Sequence, residues 1–264
     1  MAQKVVVFGG TGFIGEYIVR ALEKHGQACV VIDAATSRET VSNAIADAAH
    51  VMWLIPPVPG LLKSLARKIS AAPRLKKFLY ASTTLLYGGD APQKEDAPLH
   101  PSTDYERAKC EEEEIVRDMF SKHPEALIIT RFANVYGGIK NRGVIGKILS
   151  ALRGGSTFVV NGDGSQRRDY VHVADIARLA VDILFTPAAH GVYNVSTGTA
   201  HSLRELIGKI EQIAGKKVIV KWGNPVEEKH IVVADPAKLT ELLHHAELHS
   251  LDEGLKETCK LYTP

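Results

Sequence analysis

The sequence predicts a doubly wound, parallel α/β fold with a smaller mixed unit behind it. Three observations predict it. Short apolar runs alternate with segments of helical spacing through the first half of the chain. A glycine-rich loop separates the first run from the first helix. After residue 137 the alternation loosens into shorter pieces.

The elements follow in order. KVVVFGG (4–10) is a Val-rich buried strand. FIGEYIVRALEKHG (13–26) spaces Ile14, Ile18, Ala21 and Leu22 on one helical face, and Gly26 stops it. ACVVID (28–33) is the second strand. SRETVSNAIADAA (37–49) is a helix with Ser37 as N-cap. VMWLI (51–55) is the third strand, ended by Pro56 and Pro57. LLKSLARKISAA is a short helix and KKFLYAST (76–83) the fourth strand. Residues 88–103 form a loop. DYERAKCEEEEIVRDMF (104–120) is a long helix with Asp104 as N-cap, and ALIITRFAN (126–134) is the fifth strand. A sheet built this way is parallel and covered on both faces. Beyond residue 137, VIGKILSALRGG is a helix, and STFVVNGDGSQRRDYVHV carries two short strands around a Gly-rich turn. DIARLAVDILF is a helix, GVYNVS a strand, SLRELIGKIEQIAG a helix, and two short helices close the chain.

Bulk properties narrow the function. The chain has 264 residues, is 45% hydrophobic and 23% charged, and carries a net charge of +2. Its basic residues are scattered, which argues against a nucleic-acid surface. The run Glu111 to Glu114 reads as the solvated face of a helix. Cys29, Cys110 and Cys259 form no CxxC pair, the usage of a reducing compartment. The N-terminus enters a strand directly, and VMWLIPPVPGLL is too short and Pro-rich to span a bilayer. These features predict a soluble cytoplasmic protein with no membrane partner and no metal.

GGTGFIG places Gly9, Gly12 and Gly15 three apart between a buried strand and an amphipathic helix. Gly9 permits a sharp turn, Gly12 lets backbone approach a pyrophosphate, and Gly15 lets helix pack on strand. The helix N-terminus then offers free N–H groups and a favourable dipole. A dinucleotide is the expected ligand. Tyr105 and Lys109 stand one helical turn apart on one face. A free phenol has a pKa of about 10, so a neighbouring ammonium and a cationic nicotinamide would be needed to make Tyr105 a base. Thr83 or Thr84, at the end of the fourth strand, can donate a hydrogen bond to the reacting oxygen.

These motifs arrive in an order that resembles the extended short-chain dehydrogenase/reductases, specifically the nucleotide-sugar (NAD-dependent) epimerase/dehydratase family. STTLLYG, RFANVYG (131–137), GDGSQRRDYVHVADIA, GVYNVSTG and the terminal DEGLKETCKLY all match its blocks. The resemblance implies a Rossmann-like domain (1–137 and 169–197) and a small mixed α/β C-terminal substrate domain (138–168 and 198–264). It selects Thr83, four residues before Tyr87, with Tyr105 and Lys109 as the catalytic set. Gly9, Gly12, Phe13, Ile14, Gly15, Asp33 and Lys109 would hold the cofactor. Thr84, Asn134 and Arg168 would meet the substrate, the Arg168 fork pairing with phosphate oxygens. It also implies a homodimer. A 4,6-dehydratase of this family follows the active Thr with Asp and Glu. Here Thr84 and Leu85 follow, and leucine moves no proton, so an epimerase acting on a nucleotide sugar is expected. An NAD(P)H-dependent keto-sugar reductase is the runner-up, and a non-catalytic dinucleotide sensor or scaffold the third reading.

Two departures stand out. Asp33 falls where an acid would hold the adenine ribose and favour NAD, while Arg38 keeps NADP as the alternative. Ala34 to Ser37 then run straight into a helix, so the third, edge strand of the family sheet is expected to be missing, with one wall of the adenine pocket. After VMWLI, the turn PPVPG and a short helix replace a longer helix that in the family carries an Asn near the active site.

Overall fold

The computed structural model describes residues 4–89, 91–224, 229–244 and 247–262. Its first half runs β1 (Val5–Phe8), α1 (Phe13–Lys24), β2 (Cys29–Ile32), α2 (Arg38–Asp47), β3 (His50–Trp53), α3 (Leu61–Ser70), β4 (Lys77–Thr83), α4 (Asp104–Met119) and β5 (Leu127–Phe132). The second half runs β6 (Asn134–Tyr136), α5 (Val144–Gly154), β7 (Phe158–Val160), β8 (Arg167–His172), α6 (Val173–Phe185), β9 (Gly191–Val195), β10 (Ala200–Ser202), α7 (Leu203–Ala214), β11 (Val220–Trp222), β12 (Ile231–Val232), α8 (Ala237–Leu243) and α9 (Leu251–Lys260).

The main sheet has six strands in the order β2-β1-β3-β4-β5-β9, and every pairing in it is parallel. Alternation along each strand splits the core in two. Val5, Val7, Met52, Leu79 and Ile128 face Ile18 and Leu22 of α1 and Ile176, Leu179 and Ala180 of α6. Val6, Phe8, Val51, Trp53, Phe78 and Ile129 face Ile45 of α2, Leu62 and Ile69 of α3 and Val116 of α4. This is the doubly wound arrangement that the apolar runs anticipate. Among the described residues β2 has one sheet neighbour, β1, so the sheet ends there. The short connection Asp33 to Ser37 leaves no strand outside it, and Ser37 caps α2 by accepting from Thr40 N at 3.1 Å.

One expectation is corrected here. The N-cap of α4 is Thr103, whose hydroxyl accepts from Glu106 N, and Asp104 is the first helical residue. The two short strands expected around the Gly-rich turn are β7 and β8; β7 pairs with β11, while β8 pairs with β6, β10 and β12. A third core gathers around this second unit, with Ile148 and Leu149 of α5, Leu206 and Ile210 of α7, Leu255 of α9, and Tyr136.

A buried ion pair ties the sheet to α4. Arg131 on β5, 2% exposed, donates to both oxygens of Glu113 at 2.9 and 2.7 Å, and to the Tyr87 hydroxyl at 2.7 Å. This clamp holds α4 against the carboxyl ends of β4 and β5.

Candidate functional site

The glycine loop is built from backbone contacts. Gly9 adopts φ +83°, donates to Ile32 O at 2.9 Å, and accepts from Gly12 N at 3.1 Å. A Cβ on Gly15 would stand 2.1 Å from Gly9 O, so α1 can pack here only on a glycine. A Cβ on Gly12 would meet only Gly9 O, at 3.2 Å, and would otherwise fill the open space above the loop. Gly12 caps α1 without a side-chain bond. The amides of Phe13, Ile14 and Gly15 therefore belong to a first turn with no intrahelical acceptor. That is a cradle suited to a pyrophosphate. Asp33 follows β2 directly, and one of its carboxylate oxygens closes the turn by accepting from Ala35 N (2.9 Å) and the Thr36 hydroxyl (3.1 Å). Arg38 opens α2 nearby.

At the carboxyl end of β4, Thr83 is buried and its hydroxyl accepts from Leu85 N at 3.2 Å, capping a 3-10 turn over Thr84–Leu86. Thr84 is buried as well. Tyr105 and Lys109 leave α4 in different settings. Tyr105 is 45% exposed. Lys109 is 3% exposed, and its ammonium donates to Ala81 O at 2.7 Å and the Tyr80 hydroxyl at 3.1 Å. No hydrogen bond joins Thr83, Tyr105 and Lys109 to one another among the described residues.

The sequence reading missed the groups behind this set. Glu112, buried three residues after Lys109, accepts from the Tyr80 hydroxyl at 2.7 Å and stands 3.8 Å from the Lys109 ammonium. Glu112 is thus not part of a solvated face, nor is Glu113, which the Arg131 clamp holds. Burial lowers Lys109 to about 8, with Glu112 and Glu113 opposing the drop. Burial also pushes the Tyr105 phenol up, and the carboxylates of Glu112 and Glu106 add to it. Lys229 is a second missed cation. It donates to Glu106 at 2.7 Å and to the Leu85 carbonyl, which brings it to the start of α4 from more than a hundred residues away. No local motif marks either group.

On the other side, Asn134 and Arg168 line one pocket of about 380 Å³ with Lys147, Phe158, Asn161 and Gln166. Asn134 donates to Asp169 O at 3.2 Å, which follows from β6 pairing with β8. A larger open cleft of about 1390 Å³ runs from Thr11, Gly12 and Phe13 to α5, and shares Lys147, Phe158 and Val159 with that pocket. The structure therefore brings the glycine loop, and Asn134 with Arg168, onto adjoining cavities. Asp169 is buried and accepts from Thr197 and Gly198, ordering the loop after β9. Its burial raises it to about 6.

Comparison with known proteins adds to this geometry. Residues 5–54 and 61–196, more than half of the chain, match the model of the NAD dependent epimerase/dehydratase family. The chain is 28% identical over 204 residues to dTDP-D-glucose 4,6-dehydratase of Mus musculus, covering 71% of this chain and 56% of that one. It is 27% identical over 211 residues to UDP-glucose 4-epimerase of Bacillus subtilis (strain 168), covering 70% and 61%. The chain spans about half the length of the curated relatives it matches first. Among solved structures, UDP-glucose 4-epimerase of Thermus thermophilus in complex with NAD superposes with TM-score 0.80 at 25% identity, over 98% of this chain and 99% of that one. MoeE5 in complex with UDP-glucuronic acid and NAD superposes with TM-score 0.86 at 22% identity, over 98% of each chain, a likeness of fold. No helix among the described residues is long and apolar enough to cross a membrane.

Proposed function

The chain belongs to the NAD-dependent epimerase/dehydratase family, and from that premise we propose that it is an NAD-dependent epimerase of a nucleotide-diphosphate sugar, working by transient oxidation to a keto sugar. The glycine cradle, the amides of Phe13 and Ile14, and Asp33 would hold the dinucleotide. NAD, when bound, supplies the acceptor and then the donor of the hydride. Tyr105 exchanges a proton with the sugar hydroxyl, Thr83 donates a hydrogen bond to the same oxygen, and Lys109 supports Tyr105 and the nicotinamide ribose. Asn134 and Arg168 bind the diphosphate in their shared pocket, Arg168 by its planar fork. Thr84 lies on the sugar side. The unit formed by 138–168 and 198–264 acts as the substrate domain, and a homodimer is the expected assembly.

One observation favours epimerisation over dehydration. The residues after Thr83 are the buried Thr84 and then Leu85, whose backbone amide is bound to Thr83 and whose side chain cannot move a proton. The test is incubation of UDP-, dTDP- and GDP-hexoses without added cofactor, followed by product analysis. Epimerised product is expected; a 4-keto-6-deoxy product would overturn the assignment. Tyr105→Phe should abolish turnover and spare dinucleotide binding.

A second reading is a keto-sugar reductase with exchanging NAD(P)H. It draws on β2 standing at the end of the sheet, which leaves the adenosine side less enclosed, and on Arg38 beside Asp33. Stoichiometric loss of NADPH with a keto sugar would place the reductase first. Failure to bind either dinucleotide at millimolar levels would overturn both enzymatic readings.

A further inference from the structure

A cluster outside every residue used above has the composition of a metal site. His172 ends β8, His249 lies in the segment before α9, and Glu257 projects from α9. One ligand atom from each lies within 4.8 Å of the others. Four features go beyond mere proximity. His172 is 2% exposed, and its Nδ1 is buried without a hydrogen-bond partner among the described residues. The two imidazole rings stand 4.9 Å apart, with Tyr136 edge-on to His172 at 5.3 Å. His249 Nε2 is 3.8 Å from a Glu257 oxygen. Behind His249, the buried carboxylate of Asp175 accepts both its backbone N–H and its Nδ1–H, each at 2.9 Å. That last contact fixes the tautomer. In the neutral ring Nδ1 carries the hydrogen, which leaves Nε2 a lone pair directed toward Glu257. A carboxylate behind a histidine in this way orients the ring and raises its basicity as a ligand.

We propose that His172, His249 and Glu257 bind one divalent transition cation, zinc being the best match, with Asp175 as the supporting carboxylate. Two imidazoles and a carboxylate leave a fourth position for water. Tetrahedral bonds of about 2.0–2.1 Å set ligand atoms roughly 3.4 Å apart. The ligand atoms lie up to 4.8 Å apart, so the cluster needs a contraction of up to about 1.4 Å, shared between the largely exposed Glu257 side chain and the half-buried His249. The ion would join the end of β8 to α9, stapling the last helix onto the smaller sheet built around β8.

The test uses the full chain, stripped with a chelator and titrated with zinc chloride by calorimetry, with the metal counted by elemental analysis and the melting temperature recorded. One tight site per chain and a higher melting temperature are expected. Glu257→Gln alters an exposed side chain and should weaken binding by about tenfold or more while the circular dichroism stays unchanged. Asp175→Asn should weaken it by roughly 10–100-fold through His249. His123→Gln, in an exposed pair elsewhere, should change nothing. Absence of a tight site in the wild-type chain, or equal zinc affinity in Glu257→Gln, would overturn the proposal.

Discussion

At the scale of single residues, the proposed pairing of Tyr105 with Lys109 could be read from the sequence because it rests on a spacing of four along one helix. What tunes them is not legible, because it comes from across the fold. Tyr80 lies on a strand, and Glu112 sits in an acidic run that reads as solvated. Glu112 holds both the Lys109 ammonium and the Tyr105 phenol at higher pKa than they would otherwise have. Gln at 112 keeps an oxygen for the Tyr80 hydroxyl and removes the charge. Glu112→Gln should therefore move both limbs of the kcat/KM profile to lower pH; an unmoved profile would remove Glu112 from this role. Lys109 also carries a stability consequence. Its pKa is about 8 in the fold against 10.5 ordinarily, so between those values the unfolded chain binds the extra proton. This contribution to stability should then rise with pH across that window and level off below about 8, where both states are protonated. Denaturation midpoints of Lys109→Met should show a flatter slope there than the wild type.

At the scale of elements, the glycine loop and the start of α4 permit sharper tests. Gly15→Ala drives a Cβ into the Gly9 carbonyl, so both the melting temperature and dinucleotide binding should fall. Gly12→Ala meets far less protein, so binding should fall with the melting temperature of the ligand-free chain nearly unchanged. The α4 cap gives a second pair. Thr103→Ala should cost about 1 kcal/mol, while Asp104→Ala, an exposed first-turn residue, should cost a few tenths at most. Urea midpoints separate these. Ser-Thr-Asp offers three adjacent candidate caps, and only the course of the chain into the helix decides among them. The two- and three-residue strands β6, β10 and β12 escaped the sequence for a related reason. They are too short to carry a period, and they exist because β8 offers them partners.

At the scale of the whole molecule, the parallel sheet was legible because each strand buried on both faces reads as a continuous apolar run. The clamp that fastens the sheet to α4 was not, since Arg131 and Glu113 are charges that meet only after folding. Removing one partner leaves the other buried without its counter-charge. Glu113→Ala should destabilise the chain by about 3–5 kcal/mol, read from chemical denaturation. The ending of the sheet at β2 has a consequence of another kind. An epimerase must keep its reduced cofactor until the hydride returns, so each turnover is a race between re-reduction of the keto sugar and escape of NADH. In the proposed reading, an adenosine side bounded by no strand beyond β2 among the described residues speeds the escape. Under the proposed epimerase reading, the fraction of cycles that abort, releasing a keto sugar and an enzyme that must be recharged with NAD, would then be set by the sheet's ending at β2 among the described residues.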